Sequence, residues 1–562
     1  MKIRAIPNLY RNMKRWHKMV AVLSRYGLAD WLSSLNVDFV KDQIKDRDGE
    51  ALSRHSRETR IRLALTDLGP TFIKMGQLLS TRPDLVGRTL ADELKQLQTN
   101  VPADPPDVVR ETLTTELGQP IEELFSEFDD VPLASASIGQ VHRARLDDGT
   151  DVVIKVRHAS IESIIRDDLE VLSGLASLAE QIDEFKPYRP SATVAELSRG
   201  LLRELDFGRE ERNLQQFGEL FREDDRIRIP QPFTDFCTSR ILTMERLEGV
   251  KLDSEEALDG TRFDVRQIAR SGAELYLEMI FTHGLYHADP HPGNLLLLPD
   301  NVLGLLDFGM VGRLDERLRE EIESMLMALV ERDVMMLTSI IRRVGAMPAH
   351  LDETALASDM SDFVDHYAAQ SLDQFDLGGA LGEMMEIVHR HQVTLPAQMA
   401  LLIKTLVTLE GSTDLLHPEF SIMEMMKPFH RKMLLRRMSP ARQMQKMRRL
   451  YMEVEHLAEV LPGRILDILE QVQSGKFDVH LDHRGLGPSV NRLVLGMLAS
   501  SLFLGGALML SHEVTPVLFP TASFWGLHKI SLLGLLACGT SSLLGLRFVQ
   551  AIRKSEQLDR RE

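Results

Sequence analysis

Apolar positions recur along this chain with two periods, and the switches between them mark out its parts. Val141–Leu146 and Val152–Val156 carry strand-length apolar patterns on either side of Asp147-Asp148-Gly149, a turn sequence, so Leu133–Arg157 is predicted as a β-hairpin. Leu295–Leu306 is apolar except at Pro299-Asp300-Asn301, which predicts a second hairpin. Ile241–Gly249 reads as the end of a strand running into a hinge. A helical period holds after Pro70, from Val194 through Glu204 to Asn213, and over most of residues 316–480. In the amino-terminal arm, Ile6, Leu9, Tyr10, Met13, Trp16, Val20 and Leu23 form an apolar stripe.

Two further runs carry no charge. Leu493–Leu510 has eighteen residues and Ile530–Leu546 seventeen; at about 27 Å for the longer as a helix, both lie near the lower limit for crossing a bilayer. Pro516–Pro520, with Phe524 and Trp525, sits between them like an interfacial connector. Arg492 precedes the pair and Arg547, Arg553 and Lys554 follow it, so the positive-inside rule puts both flanks in the cytoplasm.

Charge and cysteine use narrow the choices. The 562 residues include 66 basic and 83 acidic side chains, a net charge of −17, which argues against a general nucleic-acid binder. Basic residues are nonetheless concentrated locally. Met1–Ala29 holds seven and no acid, and Lys427–Arg449 holds nine among methionines and leucines. The first segment could lie on an anionic membrane surface or pack as an ordinary helix. Cys237 and Cys538 stand in unrelated contexts and support neither a disulfide framework nor a zinc site. The first residues lack the long uncharged run of a cleavable signal peptide, so the N-terminus is expected in the cytoplasm.

The candidate chemistry clusters at the two ends of the second hairpin. His287-Ala-Asp-Pro-His-Pro-Gly-Asn294 precedes it and Asp307-Phe-Gly309 follows, so the hairpin would hold two polar groups at fixed separation. Asp289, Asn294 and Asp307 then offer two carboxylates and an amide oxygen, a set suited to a nucleoside triphosphate with magnesium. His287, Asp289 and His291 alternate, which along extended backbone would point all three to one side, as in a transition-metal site. However, Pro290 and Pro292 break strand pairing, and that reading leaves Asp307 without a role. The order of Asp, Asn and Asp-Phe-Gly resembles the catalytic and magnesium loops of protein kinases, with Ala288 where those have arginine.

Lys155, within Val-Val-Ile-Lys, resembles the strand lysine that holds nucleotide phosphates in kinases. Their phosphate loop aligns with Ala134-Ser-Ala136-Ser137-Ile-Gly139-Gln-Val141, in which the first two glycines are alanines. A β-carbon disfavours positive φ and restricts the approach of amides to phosphate, so nucleotide is expected in another pose or with altered selectivity. Glu210 is the candidate helix carboxylate for orienting Lys155. Glu245 lies where hinge backbone would meet an adenine edge. Lys74 and Gln77, three apart, share a helix face, and Gly76 removes bulk beside them.

Taken in order, Lys74-x-Gly76-Gln77, the alanine-rich loop, Glu204-x-Asp206, His287–Asn294 and Asp307-Phe-Gly resemble the UbiB (ADCK-type) family of atypical protein-kinase-like proteins. The likeness spans about residues 55–450. It implies ATP and Mg2+ as cofactors, ATPase activity, and support of ubiquinone biosynthesis at a membrane. It also implies a lid, in which Lys74 contacts Glu204 and Asp206 and the Lys-x-Gly-Gln helix covers the place where a protein substrate would enter. Only Met310–Asp315 separates Asp-Phe-Gly from renewed helical periodicity, and no Ala-Pro-Glu follows. So short a segment offers no platform for a peptide, and little phosphorylation of proteins in trans is expected.

The expected fold is α+β, a two-lobed protein-kinase-like fold with an N-terminal helical extension and a C-terminal transmembrane helical hairpin. Its parts are basic amphipathic helices in 1–54, the extension in 55–130, an N-lobe in 131–248, a helical C-lobe in 249–480 and an anchor in 481–562, with spans at 493–510 and 530–546. The expected function is a membrane-anchored ATPase that supports quinone synthesis by giving access to prenylated lipid intermediates. Its rivals are a kinase acting on a lipid or quinone precursor, and a nucleotide-sensing scaffold of a quinone-biosynthesis complex. Expected partners are anionic membrane lipids, a prenylated quinone precursor and quinone-biosynthesis enzymes, with a homo-oligomer left open and no nucleic acid. The expected location is the bacterial cytoplasmic (inner) membrane, with the kinase-like part and both termini cytoplasmic.

Overall fold

A computed structural model describes residues 13–28, 55–97, 102–182, 189–252, 263–348, 351–368, 375–417, 486–518 and 530–559, with isolated positions between them. The chain forms two compact units, Met1–Gln443 and Met444–Glu562.

The first unit begins with helix α1 (Met13–Arg25). Its apolar stripe faces protein: Trp16, Met19, Val20 and Val22 pack with Ala64, Leu68 and Phe72 of helices α2 (Arg57–Leu68) and α3 (Pro70–Ser80). Arg15 of the cationic face is also used internally, donating from Nη2 to Asp168 Oδ2 at 2.8 Å and to the Leu68 carbonyl at 3.0 Å. For α1 the packed-helix alternative therefore holds, because the extension supplies the apolar surface that a membrane would otherwise provide. Residues 1–12 and 29–54 of the expected amphipathic arm lie outside the described residues. Gly69, at φ +104, joins α2 to α3, and Pro70 opens α3 without leaving an amide unpaired. Helices α4 (Arg88–Leu94) and α5 (Pro106–Leu117) complete the extension.

Strands β1 (Glu127–Phe128) and β2 (Ala134–Ser135) pair with the same edge of β3 (Gly139–Arg145), which pairs antiparallel with β4 (Asp151–Arg157). This is the first predicted hairpin, with Gly149 at φ +88 in its turn. Three helices follow: α6 (Ile161–Ala179), α7 (Pro190–Glu204) and α8 (Phe207–Leu220). The single helical run expected from Val194 to Asn213 is thus broken. At the break Asp206 is extended and its carboxylate accepts from the Gly208 amide at 3.1 Å, satisfying a donor at the start of α8. After β5 (Ile227–Arg228), strand β6 (Ile241–Glu245) pairs with β4 and completes the small lobe's sheet.

The helical lobe contains β7 (Val250–Lys251), α9 (Val265–Glu278), β8 (Leu285–His287), β9 (Leu295–Leu298), β10 (Val302–Leu305) and β11 (Val311–Arg313). The second predicted hairpin is β9–β10, flanked by β7 and by β5. Its turn places Asp300 and Asn301 at φ 61° and 58°, where short polar side chains are tolerated. The β8–β11 ladder, with His287 opposite Val311, holds the two polar loops side by side. Helices α10 (Glu316–Glu331), α11 (Val334–Val344), α12 (Glu353–Ala368), α13 (Leu377–Arg390) and α14 (Ala397–Leu416) follow. The basic segment Lys427–Arg449 lies almost wholly outside the described residues.

In the second unit, α15 (Leu486–Ser511) and α16 (Leu532–Asp559) lie against each other. Ser541 Oγ donates to the Ala499 carbonyl at 2.7 Å, and a β-carbon on Gly506 would come within 2.8 Å of Cys538 Sγ. Small residues thus permit the close approach. Among the described residues one stretch, Leu493–Ser511, is long and apolar enough to cross a membrane, and its surface is open, at 6% buried. The second expected span starts later than predicted. Its helix, α16, begins at Leu532, two residues later than expected, because Ile530 and Ser531 pair as a strand, β13, with β12 (Val517–Leu518). The connector residues Phe524 and Trp525 lie outside the described residues.

Candidate nucleotide site

Alternation along β4 buries Val152, Ile154 and Val156 in the lobe and turns Lys155 to the other face. There Lys155 Nζ meets both oxygens of Glu210 on α8, at 2.9 and 3.1 Å, and Asp307 Oδ1 at 3.5 Å. Burial opposes the Lys155 charge, but Asp307 and Glu210 outweigh it and hold the group above the usual lysine range. The Lys155 ammonium holds Asp307 below the usual carboxylate range, against the effect of burial and with help from Lys74. Asp307 is ionised and 53% exposed to the cleft.

Burial pushes Glu210 up to about 7; Lys155 opposes the shift and Asp307 adds to it. Unfolded, a glutamate titrates near 4.5. Between these values the folded protein holds a proton that the unfolded chain releases. Stability from this group is therefore full below pH 4.5 and lost as pH rises through about 7, by up to about 1.4 kcal/mol per pH unit. Melting curves from pH 5 to 8 should show a slope in the parent protein that Glu210→Gln lacks. Parallel curves would contradict the assignment.

The two loops lie together, the Leu306 amide donating to the Asn294 carbonyl at 2.9 Å. Asn294 Nδ2 donates to Asp289 Oδ2 at 2.8 Å and to the Asp289 carbonyl at 3.2 Å. With both amide hydrogens spent, Asn294 Oδ1 is the atom free for a cation. That oxygen and the ionised Asp307 form a hard donor set that fits magnesium. His287 belongs to the scaffold. It is buried, burial lowers its pKa, Nε2 faces the Leu306 and Asp307 carbonyls at 3.0 Å, and Nδ1 faces Tyr276 Oη at 3.2 Å. His291 Nδ1 accepts from its own loop, at Gly293 N. The alternating His-Asp-His residues are thus separated in function, and among the described residues no His, Cys, Asp and Glu gather as a metal-binding cluster. Phe308 is buried against Phe217 of α8, at 5.0 Å between ring centroids, and its carbonyl accepts from Asn213 Nδ2 at 2.9 Å. These contacts couple the Glu210 helix to Asp307.

In the extension, Lys74 Nζ pairs with Glu204 Oε2 at 2.7 Å. Burial opposes its charge, but Glu204 and Asp307 raise its pKa. Asp206 serves instead as the cap of α8, with Arg212 Nη2 at 3.6 Å. Gly76 accommodates the fold itself: a β-carbon there would lie 2.3 Å from Leu97 Cδ1 and 3.0 Å from Leu65 Cδ1. Gln77 Nε2 donates to the Leu97 carbonyl at 3.1 Å, so Gly76 and Gln77 seat the helix that Lys74 projects from.

Ala134, Ala136, Ser137, Gly139 and Val141 line the same cleft, of ≈ 540 Å³, as Lys155, Glu210, Asn294 and Asp307. Neither alanine has positive φ, and the Ala136 amide donates to the Gly139 carbonyl at 2.9 Å, so the loop is folded on itself. Gly139 is required by packing, since a β-carbon would come 2.5 Å from the Val156 carbonyl oxygen. The Glu245 side chain turns to Arg228 Nη2 at 2.7 Å and the Gln231 amide at 3.2 Å, leaving backbone as its contribution to the cleft.

A second cavity of ≈ 660 Å³ adjoins the first and shares Lys74, Glu204, Asp289 and Met310 with it. Its far wall is α14, which carries residues that the sequence reading missed. Lys404 Nζ donates to Asp289 Oδ1 at 2.7 Å, Thr405 Oγ1 to the Ala288 carbonyl at 3.2 Å, and Ser412 Oγ to the Pro290 carbonyl at 2.7 Å. One signal was available: Lys404 interrupts an apolar helix, where an ammonium needs an acid.

A sheet lobe with a lysine–glutamate pair, joined to a helical lobe with paired Asp-Asn and Asp-Phe-Gly loops, defines a protein-kinase-like fold. Residues 96–341 match the ABC1 atypical kinase-like domain, 360–421 the UbiB helical domain and 480–554 the ABC1/UbiB kinase-like C-terminal domain. The chain is 32% identical over 486 residues to the Probable protein kinase UbiB of Xylella fastidiosa (strain M12), covering 84% of this chain and 88% of that one. The protein of the same name from Pseudomonas aeruginosa (strain LESB58) is 32% identical over 412 residues, 72% of this chain and 77% of that one. An uncharacterized protein in the hydrogenase 1 5' region of Clostridium pasteurianum is 28% identical, covering 89% and 93%. A Mycobacterium tuberculosis protein, Rv3197, solved with erythromycin, is 25% identical over 61% of this chain and 87% of that one, with a TM-score of 0.43. The chain belongs to the ABC1/UbiB family of atypical kinase-like proteins.

Proposed function

We propose that this protein is a membrane-anchored kinase-like ATPase that supports ubiquinone (isoprenoid quinone) biosynthesis, the role implied by its family. One observation carries the chemistry: Lys155 draws Glu210 and Asp307 together in a cleft that Asn294 and Asp289 also line. Phosphoryl transfer needs mainly positioning and electrostatic stabilisation, and this cleft offers both. Lys155 holds phosphates and Glu210 orients it. Asp307 and Asn294 hold magnesium, which supplies neutralisation of phosphate charge when bound. Asp289 orients the attacking water or hydroxyl. Ala134, Ala136, Ser137, Gly139 and Val141 lie over the nucleotide, and the backbone at Glu245 meets its base. Lys74 and Glu204, seated by Gly76 and Gln77, form the lid, while Asp206 caps the helix that carries Glu210. The short Met310–Asp315 connection before α10 supports water or a small acceptor over a peptide.

Leu493–Ser511, open along its apolar surface, supports a membrane anchor, with Leu532–Gly545 packed beside it as the second arm of a hairpin. Arg492 and Arg547 favour cytoplasmic flanks at the inner membrane. Hydrolysis would then assist access of quinone-biosynthesis enzymes to prenylated intermediates. Purified protein should release phosphate from ATP faster with anionic vesicles and a phenolic quinone precursor than without them. All products would be identified. The second cavity beside Asp289 favours one rival, a small-molecule kinase, which a stoichiometric phosphorylated precursor would establish in place of hydrolysis. Quinone synthesis sustained by Asp289→Asn would favour a scaffold.

A further inference from the structure

We infer that Lys404 is a positioning residue for phosphoryl transfer: from α14 it holds the Asp289 carboxylate in register with the nucleotide cleft. The inference rests on the ATPase reading above and adds a residue to it.

Asp289 needs such a support. Its side chain is 30% exposed between two cavities, so packing alone does not fix its rotamer. Asn294 Nδ2 binds Oδ2 at 2.8 Å, and Lys404 Nζ binds Oδ1 at 2.7 Å. Together these two bonds determine the plane of the carboxylate and the direction of its remaining lone pairs. The ammonium comes from a rigid source. Thr405 and Ser412, on the same helix, bond the carbonyls of Ala288 and Pro290, the residues on either side of Asp289. Between these two anchors Glu410 Oε1 accepts from the Leu377 amide at 3.0 Å, tying α14 to the start of α13 as well. The histidines two residues to either side of Asp289 are committed elsewhere, His287 Nε2 to the Leu306 and Asp307 carbonyls and His291 Nδ1 to Gly293 N. The catalytic loop is thus registered against α14, and Lys404 carries that register to the reacting carboxylate.

A group that orients Asp289 without touching nucleotide should act on turnover and spare affinity. In the full-length protein, Lys404→Met is expected to lower kcat for phosphate release about 10²-fold, the scale set by displacing a catalytic group by an ångström. Affinity for a fluorescent ATP analogue should stay within about twofold, which also shows that the variant is folded. Lys404→Arg, which keeps the charge, should recover much of the loss. Asp289→Asn combined with Lys404→Met should be no slower than Asp289→Asn alone, because one acts through the other. The inference is overturned by parental turnover in Lys404→Met, by a loss in nucleotide affinity in place of kcat, by a Lys404→Arg variant as slow as Lys404→Met, or by losses that add in the double variant. Absence of phosphate release from the parental protein would refute the ATPase reading, and this inference with it.

Discussion

Asp307→Asn is expected to lower magnesium-supported phosphate release by about 10³-fold, corresponding to the several kcal/mol that charge stabilisation by a bound cation contributes. The substitution is mild for the fold. Asparagine tolerates the φ of 54° that this position requires and can still accept from the Gly309 amide, now bonded at 3.1 Å. Lys155 keeps Glu210, and Lys74 keeps Glu204. What disappears is the negative charge held in the cleft between the two ammonium groups. Magnesium would lose its ionised ligand, while bare nucleotide phosphates would lose a repulsive neighbour. Affinity for a fluorescent nucleotide should therefore fall in magnesium and hold or rise in EDTA. Equal affinities for parent and variant in magnesium would remove Asp307 from the proposed ligand set.

The largest effect on stability is expected from Arg82→Met. Arg82 is 7% exposed and binds both oxygens of Asp84, itself 0% exposed, at 2.9 Å each. Arg82 also reaches Glu196 of α7 and donates to the Leu395 carbonyl at 3.3 Å, while Asp84 accepts from the Leu395 amide at 3.4 Å. His389 Nδ1 lies 3.0 Å from the Asp84 carbonyl. This buried group ties the segment after the Lys74 helix to α13 and to the start of α14, the helix that braces the Asp289 loop. Removing the guanidinium leaves Asp84 buried and unpaired, at a cost of about 3–5 kcal/mol. The first unit should melt earlier, and Arg82→Met with Asp84→Leu should recover most of the loss, since an apolar pair carries no stranded charge. A double variant no more stable than Arg82→Met would show that the hydrogen bonds, and not the unpaired charge, dominate.

Both hairpins were readable because strand period and turn residues are local properties. The pairing of Lys155 with Glu210 was readable as well, from the kinase-like spacing of motifs. Other residues were recognised with the wrong neighbours. Asp206 interrupts the helix that periodicity alone would have continued, because its short carboxylate caps α8 better than it extends α7. Gly76 does remove bulk beside Lys74 and Gln77, and the room it leaves is taken by Leu97. Period describes an apolar stripe without naming what will cover it, which is why Trp16 and Val20 fit a membrane and a protein surface equally until α2 and α3 were in place.

The amino-acid order by itself determined the local elements, the motifs of the two polar loops and the apolar character of Leu493–Ser511, since these depend on residues close in the chain. Tertiary structure alone decided that Lys404, 115 positions from Asp289, bonds its carboxylate, and that Leu395, more than 300 positions from Arg82 and Asp84, closes their pair. A charged or polar side chain must find a partner when buried, but many acids and carbonyls in a chain of this length satisfy that demand, and only packing of α13 and α14 against the loop selects among them.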